Sequence, residues 1–290
     1  MKRVPILFVF SIIASLLALS SSNVNATTKH SHFVLVHGAG HGAWCWYKVT
    51  TLLQSTGHNV TTIDLTASGI DLSRVSQVNG SVINYAKPLM NFMASLPATA
   101  ANKVVLVGHS LGGLIISLAM ESFPHKISAA VFVTAAMPGP TLNYLNISQE
   151  MTRTTGSLMD SKSIFENGPN NPPTALSFGP NFMATKIYQL SPPQDLVLAL
   201  SLVRVFPLFN EELVKQQVKF TKERYGSVNR VFIVCDQDLT AVESFQRWMI
   251  ERNPPHELKI INGTDHMVMI TRPLKLFTHL GEIAEKYSSN

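Results

Sequence analysis

The stretch Lys103-Val-Val-Leu-Val-Gly-His-Ser-Leu-Gly-Gly113 decides the fold of this chain. Its first half is a short run of β-branched and aliphatic residues, which is typical of a strand buried on both faces of a parallel sheet. Its second half matches the pattern Gly-x-Ser-x-Gly, and a helix-compatible segment follows at residues 111–123. Glycines on either side of the serine allow a tight turn that lifts the hydroxyl of Ser110 above the sheet edge. Ser110 is therefore the predicted nucleophile.

Three further apolar blocks have the character of buried strands, and they cover residues 32–37, 127–134 and 228–235. Helix-compatible stretches alternate with these blocks at residues 44–55, 82–96, 111–123, 242–252 and 273–287. Such alternation predicts an α/β fold with a mostly parallel, doubly wound sheet. With 290 residues, 46% of them hydrophobic, the chain can form one large domain that carries an insertion.

The segment from about residue 137 to 219 breaks this alternation. It contains nine prolines, including the pairs Pro172-Pro173 and Pro192-Pro193, and a helical patch at residues 196–203 lies among its loops. In open α/β sheets the functional site lies at the carboxyl ends of the strands. An irregular insertion between two strands is therefore predicted to form a cap over that site.

The first 26 residues differ from the rest of the chain. Lys2 and Arg3 precede an uncharged apolar stretch at residues 4–19, and small and polar residues ending in Ala26 follow. These are the parts of a secretory signal peptide, and the apolar run is shorter than the about 20 residues that span a bilayer. We expect a signal peptide at 1–26 and a secreted domain at 27–290 with no membrane attachment, a cytoplasmic location being the alternative. Glycosylation is permitted by the sequons at Asn59, Asn79, Asn146 and Asn262.

Charge and cysteine content argue against several other classes of protein. The formal net charge is +5, but the basic residues are scattered without a basic run, so nucleic acid is not a predicted partner. Cys45 and Cys235 are too few for a disulfide framework and are predicted to be buried thiols. Histidines and carboxylates lack the spacing of a zinc site, so neither a metal nor another cofactor is predicted.

A serine hydroxyl needs a base within hydrogen-bond reach to act as a nucleophile near neutral pH. In proteins with this turn, the chain order is Ser, then Asp or Glu, then His. Asp238 stands just beyond the apolar block at 228–235 and His266 lies in a loop after the strand stretch at 257–261, so both are expected at the sheet edge that carries Ser110. Asp238 is predicted to hold the imidazole of His266. Asp236 is the rival acid, and Asp265 is expected to shape the loop.

The glycine turn Gly38-Ala39-Gly40 follows the first apolar block. It lacks the Gly-Lys-Ser/Thr ending of a phosphate-binding loop. We expect it to form an oxyanion hole, with the amide of Ala39 opposite that of Leu111, the residue after the nucleophile. His41, beside this turn, either contacts the substrate or only hydrogen-bonds the backbone.

Five motifs together resemble the plant methylesterase and hydroxynitrile lyase family of α/β-hydrolases. They are His32-Phe-Val-Leu-Val-His-Gly-Ala, His41-Gly-Ala-Trp-Cys-Trp-Tyr, Asp64-Leu-Thr-Ala-Ser-Gly-Ile, Gly108-His-Ser-Leu-Gly-Gly and Asp265-His-Met. The resemblance runs from about residue 32 to 287 and includes the cap piece Tyr188-Gln-Leu-Ser-Pro. It implies the α/β-hydrolase fold with a small cap, and an enzyme that either cleaves methyl esters of plant hormones and metabolites or splits cyanohydrins.

Two positions separate the esterases of this family from its lyases. The lyases carry a threonine and a lysine where this chain has Gly38 and Met267, and without that cation a leaving cyanide has no stabiliser. The cap pieces Glu166-Asn-Gly-Pro-Asn-Asn-Pro-Pro-Thr and Leu200-Ser-Leu-Val-Arg resemble the methylketone synthase branch. That branch handles fatty β-keto acids and lacks the nucleophile and the triad acid, both of which this chain retains. A non-catalytic small-ligand receptor is a further alternative, and the methylesterase branch is the preferred interpretation.

Apolar residues of the cap predict the kind of acyl group that is bound. The predicted pocket consists of His41, Ala136, Leu176, Phe178, Leu190, Leu200 and Met267. Such a pocket accepts a hydrophobic acyl group through burial of apolar area. Small-molecule methyl esters of the jasmonate, salicylate and indole-acetate type all fit, and methyl jasmonate is preferred because Ala136 stands where relatives can carry an aromatic ring. A homodimer is left open.

Overall fold

The computed structural model describes residues 30–97, 99 and 103–287. The predicted signal peptide at 1–26 lies outside the described residues, so the signal peptide and the secretory location stay predictions. Within the described part of the chain, no helix is both long enough and apolar enough to cross a membrane. Cys45 and Cys235 are buried free thiols.

A six-stranded parallel sheet forms the centre of the molecule. The strands of the described residues are β1 (His32–Val36), β2 (Asn59–Ile63), β3 (Val104–His109), β4 (Ile127–Val133), β5 (Lys162–Ile164), β6 (Ala175–Ser177), β7 (Phe206–Pro207), β8 (Arg230–Cys235) and β9 (Glu257–Ile261). The sheet has the order β2-β1-β3-β4-β8-β9, and every neighbouring pair in it is parallel. Strands β3 and β4 are buried along their whole length, which is why their sequences are continuous apolar runs.

Helices cover both faces of this sheet. They are α1 (Tyr47–Ser55), α2 (Val82–Ser95), α3 (Gly112–Ser122), α4 (Tyr144–Thr155), α5 (Pro180–Phe182), α6 (Pro193–Leu202), α7 (Glu211–Gln217), α8 (Glu243–Arg252), α9 (Val268–Thr271) and α10 (Pro273–Tyr287). Short 3-10 helices lie at Ala43–Trp46, Val75–Val78, Pro124–Lys126 and Tyr225–Ser227, and a π-helix lies at Met183–Ile187. Helices α2, α3 and α8 contribute to one buried apolar cluster, and α1 and α10 contribute to a second. The predicted doubly wound α/β fold is confirmed.

The helical predictions agree closely with the structure, since helices α2, α3, α8 and α10 occupy the stretches assigned to them. The stretch at 44–55 is divided between a 3-10 turn and α1. Strand β2 carries no comparable apolar run, because it is an edge strand and only its last residue is buried. The pattern of continuous burial therefore identifies the inner strands and leaves this edge strand out.

The segment between β4 and β8 is the one for which the sequence predicts a cap at about 137–219. It contains helices α4 to α7 and a small antiparallel sheet of β5, β6 and β7. Pro180 and Pro193 lie in the first turns of α5 and α6, where a missing N–H removes no helical hydrogen bond. Prolines therefore begin separate short helices here, which replace the regular strand–helix alternation.

Candidate active site

Ser110 lies on the sharp turn between strand β3 and helix α3. Its φ is +53°, a conformation that residues other than glycine rarely adopt. The neighbouring glycines are required by close packing, because a Cβ at Gly108 would lie 2.8 Å from the Gly112 oxygen and a Cβ at Gly113 would lie 2.1 Å from the Ala136 oxygen. The backbone oxygen of Ser110 accepts hydrogen bonds from the N–H groups of Gly113 and Ala136 at 3.1 and 2.9 Å. This packing holds Ser110 in the wall of a cavity.

Asp238 and His266 are joined by a short hydrogen bond, in which Nδ1–H of His266 donates to Oδ2 of Asp238 at 2.6 Å. Asp238 follows β8 and His266 follows β9, and the parallel strands bring both loops to the edge where β3 ends at Ser110. Donation from Nδ1 leaves Nε2 of the neutral imidazole as the proton acceptor. His266 and Ser110 line the same cavity.

The carboxylate of Asp238 is fully hydrogen-bonded. Oδ2 also accepts from the hydroxyl of Thr134 at 2.6 Å, and Oδ1 accepts from the N–H groups of Thr240 and Ala241 at 2.7 and 2.8 Å. Burial alone would raise the pKa of Asp238, but the neighbouring His266 and these hydrogen bonds hold that pKa below its ordinary value of 3.8. Asp238 is therefore an anion that can orient the imidazole and stabilise its protonated form.

The two other acidic residues near the base have different partners. Asp236 accepts from the N–H of Gly263 at 2.7 Å and so joins the loops that follow β8 and β9. Asp265 accepts from the N–H of Leu190 at 3.0 Å and from the hydroxyl of Ser191 at 2.8 Å, and both of these residues belong to the cap. Asp265 therefore shapes its own loop and also fastens the cap to it, a contact that sequence reasoning does not predict.

The glycine turn after β1 lies directly against the nucleophile. A Cβ at Gly38 would be 2.8 Å from the Cβ of Ser110, so only glycine permits this approach. Among the described residues, no acceptor receives a hydrogen bond from the N–H of Ala39 or from that of Leu111. Both N–H groups are therefore available to an oxyanion that forms beside Ser110.

A buried histidine fixes the orientation of this turn. Nδ1–H of His37 donates to the Gly38 oxygen at 2.7 Å, and Nε2 of His37 accepts from the N–H of Leu65 at 3.1 Å. The C=O of Gly38 and the N–H of Ala39 belong to one trans peptide and point in opposite directions. By holding the carbonyl, His37 therefore sets the direction of the N–H on the other side of the peptide.

His41 connects the same turn to the cap. Its Nδ1–H donates to the Ala39 oxygen at 2.8 Å, and its Nε2 accepts from the hydroxyl of Tyr188 at 2.8 Å. The ring of His41 also packs against those of Trp44 and Tyr188, with centroid distances of 5.3 and 5.8 Å. Burial lowers the pKa of His41 to about 3, so the ring is neutral and this tautomer is fixed. His41 thus hydrogen-bonds the backbone and the cap, and it also lines the cavity.

His109, inside the nucleophile turn, supports the loop of the base. Its Nε2–H donates to the backbone oxygen of His266 at 2.8 Å, and the two rings are 4.7 Å apart. Burial lowers the pKa of His109 well below its ordinary value. In the part of the chain that the structure describes, no cluster of three or more His, Cys, Asp or Glu side chains is arranged to hold a metal ion.

A cavity of about 460 Å³ runs from Ser110 into the cap, which is a size typical of small-molecule sites. Of the predicted pocket residues, the structure brings His41, Ala136, Leu176 and Phe178 into its wall. Much of the remaining wall comes from helix α4, strand β7 and helices α7 and α8. These parts of the wall carry mainly apolar side chains, including Ile147, Met151, Phe206, Val214 and Phe245.

Three predicted pocket residues lie elsewhere. Leu190 and Leu200 are 42% and 40% exposed and do not line the cavity. Leu200 faces outward because Asp195 and Ala199 occupy the buried positions of helix α6. Met267 is fully buried in the second apolar cluster, and its N–H is bound by Asp265. Residues 196–200 of helix α6 are all apolar, so this part of its sequence does not reveal which face is turned inward.

Sequence reasoning missed the roles of two residues of the site, Thr134 and Tyr188. Thr134 directly follows β4, which pairs with β8, so a hydroxyl beside the strand that leads to Asp238 is a signal that could have been used. Tyr188 is far from His41 in the sequence, and nothing in its local pattern indicates their contact.

Comparison with known proteins places these observations in context. The model of the alpha/beta hydrolase family matches residues 33–279. Methyl jasmonate esterase 1 of Vitis vinifera is 53% identical over 90% of this chain and 99% of its own, and salicylic acid-binding protein 2 of Nicotiana tabacum is 48% identical over 89% and 98%. The crystal structure of tomato methylketone synthase I complexed with 2-tridecanone is 50% identical, with a TM-score of 0.85, and the match covers 89% of this chain and 99% of that one.

Proposed function

Since this chain belongs to the α/β-hydrolase family and is a carboxylic ester hydrolase, we propose that it cleaves methyl esters of small hydrophobic acids through an acyl-enzyme on Ser110. The observation that carries this proposal is the 2.6 Å bond from His266 to the buried carboxylate of Asp238, with His266 and Ser110 in one cavity wall. A nucleophile, a base and an anion that orients the base are the parts that acyl transfer needs.

In the first half of the reaction, Oγ of Ser110 attacks the ester carbonyl carbon while Nε2 of His266 takes the hydroxyl proton. The carbonyl π electrons move to the oxygen, which becomes an oxyanion between the N–H groups of Ala39 and Leu111. Each such donor typically contributes about 3 kcal/mol of transition-state stabilisation. When the intermediate collapses, the methoxy group leaves with the proton from His266 as methanol.

The second half repeats these steps with water. Nε2 of His266 takes a proton from the water as its oxygen attacks the acyl carbon, and the same two N–H groups receive the second oxyanion. Collapse breaks the bond to Oγ of Ser110, which recovers the proton from His266. The acid leaves and the enzyme is restored, so no cofactor takes part.

The cavity supports a hydrophobic acyl group. Its wall is mainly aliphatic and aromatic, so binding is driven by burial of apolar area at about 25 cal/mol per Å². Methyl jasmonate is our preferred substrate, because the ester is aliphatic, Ala136 leaves room in the wall, and a relative 53% identical is named for this ester. Methyl salicylate and methyl indole-acetate are the competing substrates.

A second candidate is a reaction on β-keto fatty acids, which is favoured by the 50% identity to tomato methylketone synthase I. We rank it second because Ser110 and the glycine turn at 38–40, which we call the oxyanion turn, have the arrangement that ester hydrolysis requires. Hydroxynitrile cleavage ranks lower, because Met267 is a buried apolar side chain and offers no cation to cyanide.

The test compares the wild type with Ser110→Ala on methyl jasmonate, methyl salicylate and methyl indole-acetate at equal concentration. We expect the substitution to abolish turnover, a loss of about 10⁴-fold or more in kcat, with an unchanged circular dichroism spectrum. Ser122→Ala, at the far end of the helix α3 that follows Ser110, is the control and should retain the wild-type rate.

Retention of most activity in Ser110→Ala would refute the mechanism. A clear preference for the salicylate ester over the jasmonate ester would overturn the substrate choice. If the wild type cleaves no ester, release of a methyl ketone from a β-keto acid would favour the second candidate, and tight binding without turnover would favour a receptor.

A further inference from the structure

The cap side of the cavity contains a phenol without a partner. Tyr144, at the start of helix α4, lines the cavity, and its hydroxyl makes no hydrogen bond with any described residue. The chain has six tyrosines, and each of the other five hydrogen-bonds another side chain. The pairs are Tyr47 with Asp195, Tyr85 with Ser68, Tyr188 with His41, Tyr225 with Asn253, and Tyr287 with Glu257.

The ring of Tyr144 packs against that of Phe209 at 6.4 Å. The cavity wall that it shares includes the apolar side chains of Leu145, Ile147 and Val214. Burial raises the pKa of the Tyr144 phenol, so the group keeps its proton and acts as a donor. Phenols that pack in a protein usually find a hydrogen-bond partner, and this partly buried phenol lines the cavity, where a ligand can be that partner.

A second unused hydroxyl lies one helical turn away. Ser148 also lines the cavity, and its hydroxyl makes no hydrogen bond within the described residues. The two hydroxyls that follow on this face are already engaged, since Thr152 donates to the Ser148 backbone oxygen at 2.9 Å and Thr155 donates to the Thr240 oxygen at 2.9 Å. Residues four apart lie on one face of a helix, so Tyr144 and Ser148 form a polar spot of two unengaged hydroxyls in the cavity wall, which also includes Gln149 and Glu211.

We propose that Tyr144 and Ser148 bind a ketone oxygen in the acyl group, remote from the ester. A ketone oxygen accepts two hydrogen bonds, which matches two free donors on one helix face. The substrate class is therefore the methyl ester of a hydrophobic keto acid, and the two side chains are specificity residues of the proposed esterase. This inference rests on the proposed function and goes further, because an apolar wall alone would not distinguish a ketone from a methylene group.

The experiment uses two methyl esters that differ in one atom group. One is methyl jasmonate, which carries a ring ketone, and the other is the same ester with the ketone replaced by CH₂. In Tyr144→Phe we expect kcat/KM for the keto ester to fall about 3- to 10-fold, which corresponds to one neutral hydrogen bond. Ser148→Ala should lose a similar factor. Neither substitution should change kcat/KM for the CH₂ ester, because that ester has no acceptor to lose.

Tyr287→Phe is the matched control, since it removes a phenol hydroxyl outside the cavity. It should leave both esters unaffected. An equal effect of Tyr144→Phe on the two esters, or no effect on either, would overturn the inference. The inference would also be overturned if the wild type preferred the CH₂ ester. The same holds if the wild type cleaved other methyl esters but neither the keto ester nor the CH₂ ester.

Binding of the free keto acid, measured by calorimetry, separates this inference from the proposed function. If the wild type cleaves no methyl ester, the proposed function fails. In that case, about 3- to 10-fold weaker binding of the keto acid to Tyr144→Phe would still support the polar spot, and unchanged binding would overturn it.

Discussion

At the scale of single residues, the site depends on side chains that hold other groups in one orientation or one tautomer. Asp238 fixes His266, His37 fixes the Gly38 carbonyl, and the Tyr188 hydroxyl fixes the tautomer of His41. Each is buried, where a hydrogen bond is strong and a missing one is costly. The geometry of the oxyanion turn is therefore set before a substrate arrives, which is the condition for electrostatic catalysis.

The hydrogen bond from Tyr188 to His41 can be tested by removing the phenol hydroxyl. In Tyr188→Phe, Nε2 of His41 loses its donor, so the ring is free to exchange tautomers and its hold on the Ala39 carbonyl weakens. We expect kcat on a methyl ester to fall about 10-fold with little change in KM, because a small misplacement acts on the transition state more than on the ground state. Steady-state kinetics measure both constants.

Tyr47→Phe is the control for Tyr188→Phe. It also removes a phenol that contacts the cap, but its partner is Asp195 and it does not touch the oxyanion turn. Equal losses of kcat in the two variants would mean that the hydroxyl of Tyr188 acts only by holding the cap.

Local motifs are enough to predict the residues that react, but not those that position them. Ser110, Asp238 and His266 follow from one pattern and the order of strand ends, and the structure brings Asp238 and His266 into contact. Tyr188 is 147 positions from His41, and its role depends on how the cap folds back on the core. The role of Thr134 is easier to predict than that of Tyr188, because Thr134 stands at a strand end beside the acid Asp238.

At the scale of elements, side chains complete the ends of helices. Helices α2, α4 and α7 are preceded by the N-cap residues Ser81, Asn143 and Asn210. Each of these side chains accepts a hydrogen bond from the backbone N–H three residues later. The spacing of apolar residues predicts such helices from the sequence, and the capping residues define where each helix starts. The strands of the cap are different, because β5, β6 and β7 have three, three and two residues. Runs of that length carry no usable period.

The carboxyl end of helix α2 gives a prediction about stability. The buried ammonium of Lys126 donates to the backbone oxygens of Met93, Ala94 and Leu96 at 2.9, 3.0 and 2.7 Å. A cation at this position satisfies carbonyls that lack helical partners and complements the helix dipole. Lys126→Met should lower the free energy of unfolding in urea by about 2 kcal/mol and leave kcat unchanged.

Lys87→Met is the control for Lys126→Met. Lys87 is an exposed residue of helix α2, whose carboxyl end Lys126 contacts, and its replacement should change stability by less than about 0.5 kcal/mol. A Lys126→Met protein as stable as this control would show that the three carbonyls do not depend on the ammonium.

At the scale of the whole molecule, the cap is tied to helix α1 and to the catalytic loops. Asp195 accepts from Lys48 at 2.7 Å, Asp265 binds the turn at Leu190, and the N–H of Arg204 donates to Gly40 at 2.8 Å. These contacts hold the cap against the loop of the base and against the oxyanion turn. Folding of the cap and assembly of the site are therefore coupled.

The buried histidines make this assembly sensitive to acid. Burial lowers the pKa of His41 to about 3, and it also lowers the pKa of His37 and, more strongly, of His109. In the unfolded chain each ring has its ordinary pKa of 6.5. Between these values the unfolded chain binds more protons than the folded one, so the free energy of unfolding decreases as the pH falls. Asp238 does not contribute here, because its lowered pKa removes stability only below about its ordinary 3.8.

We therefore expect the protein to be less stable at pH 5.5 than at pH 7.0 in urea unfolding. His41 alone accounts for about 1.3 kcal/mol of this difference, and the three histidines together for at most about 4 kcal/mol. In His41→Gln the difference between the two pH values should shrink by about 1.3 kcal/mol, even though the variant is less stable at both, because glutamine takes up no proton. His125→Gln replaces an exposed histidine and should leave the difference unchanged. Equal stability of the wild type at both pH values would contradict the argument, because a ring that stays neutral when folded and binds a proton when unfolded cannot leave the equilibrium independent of pH.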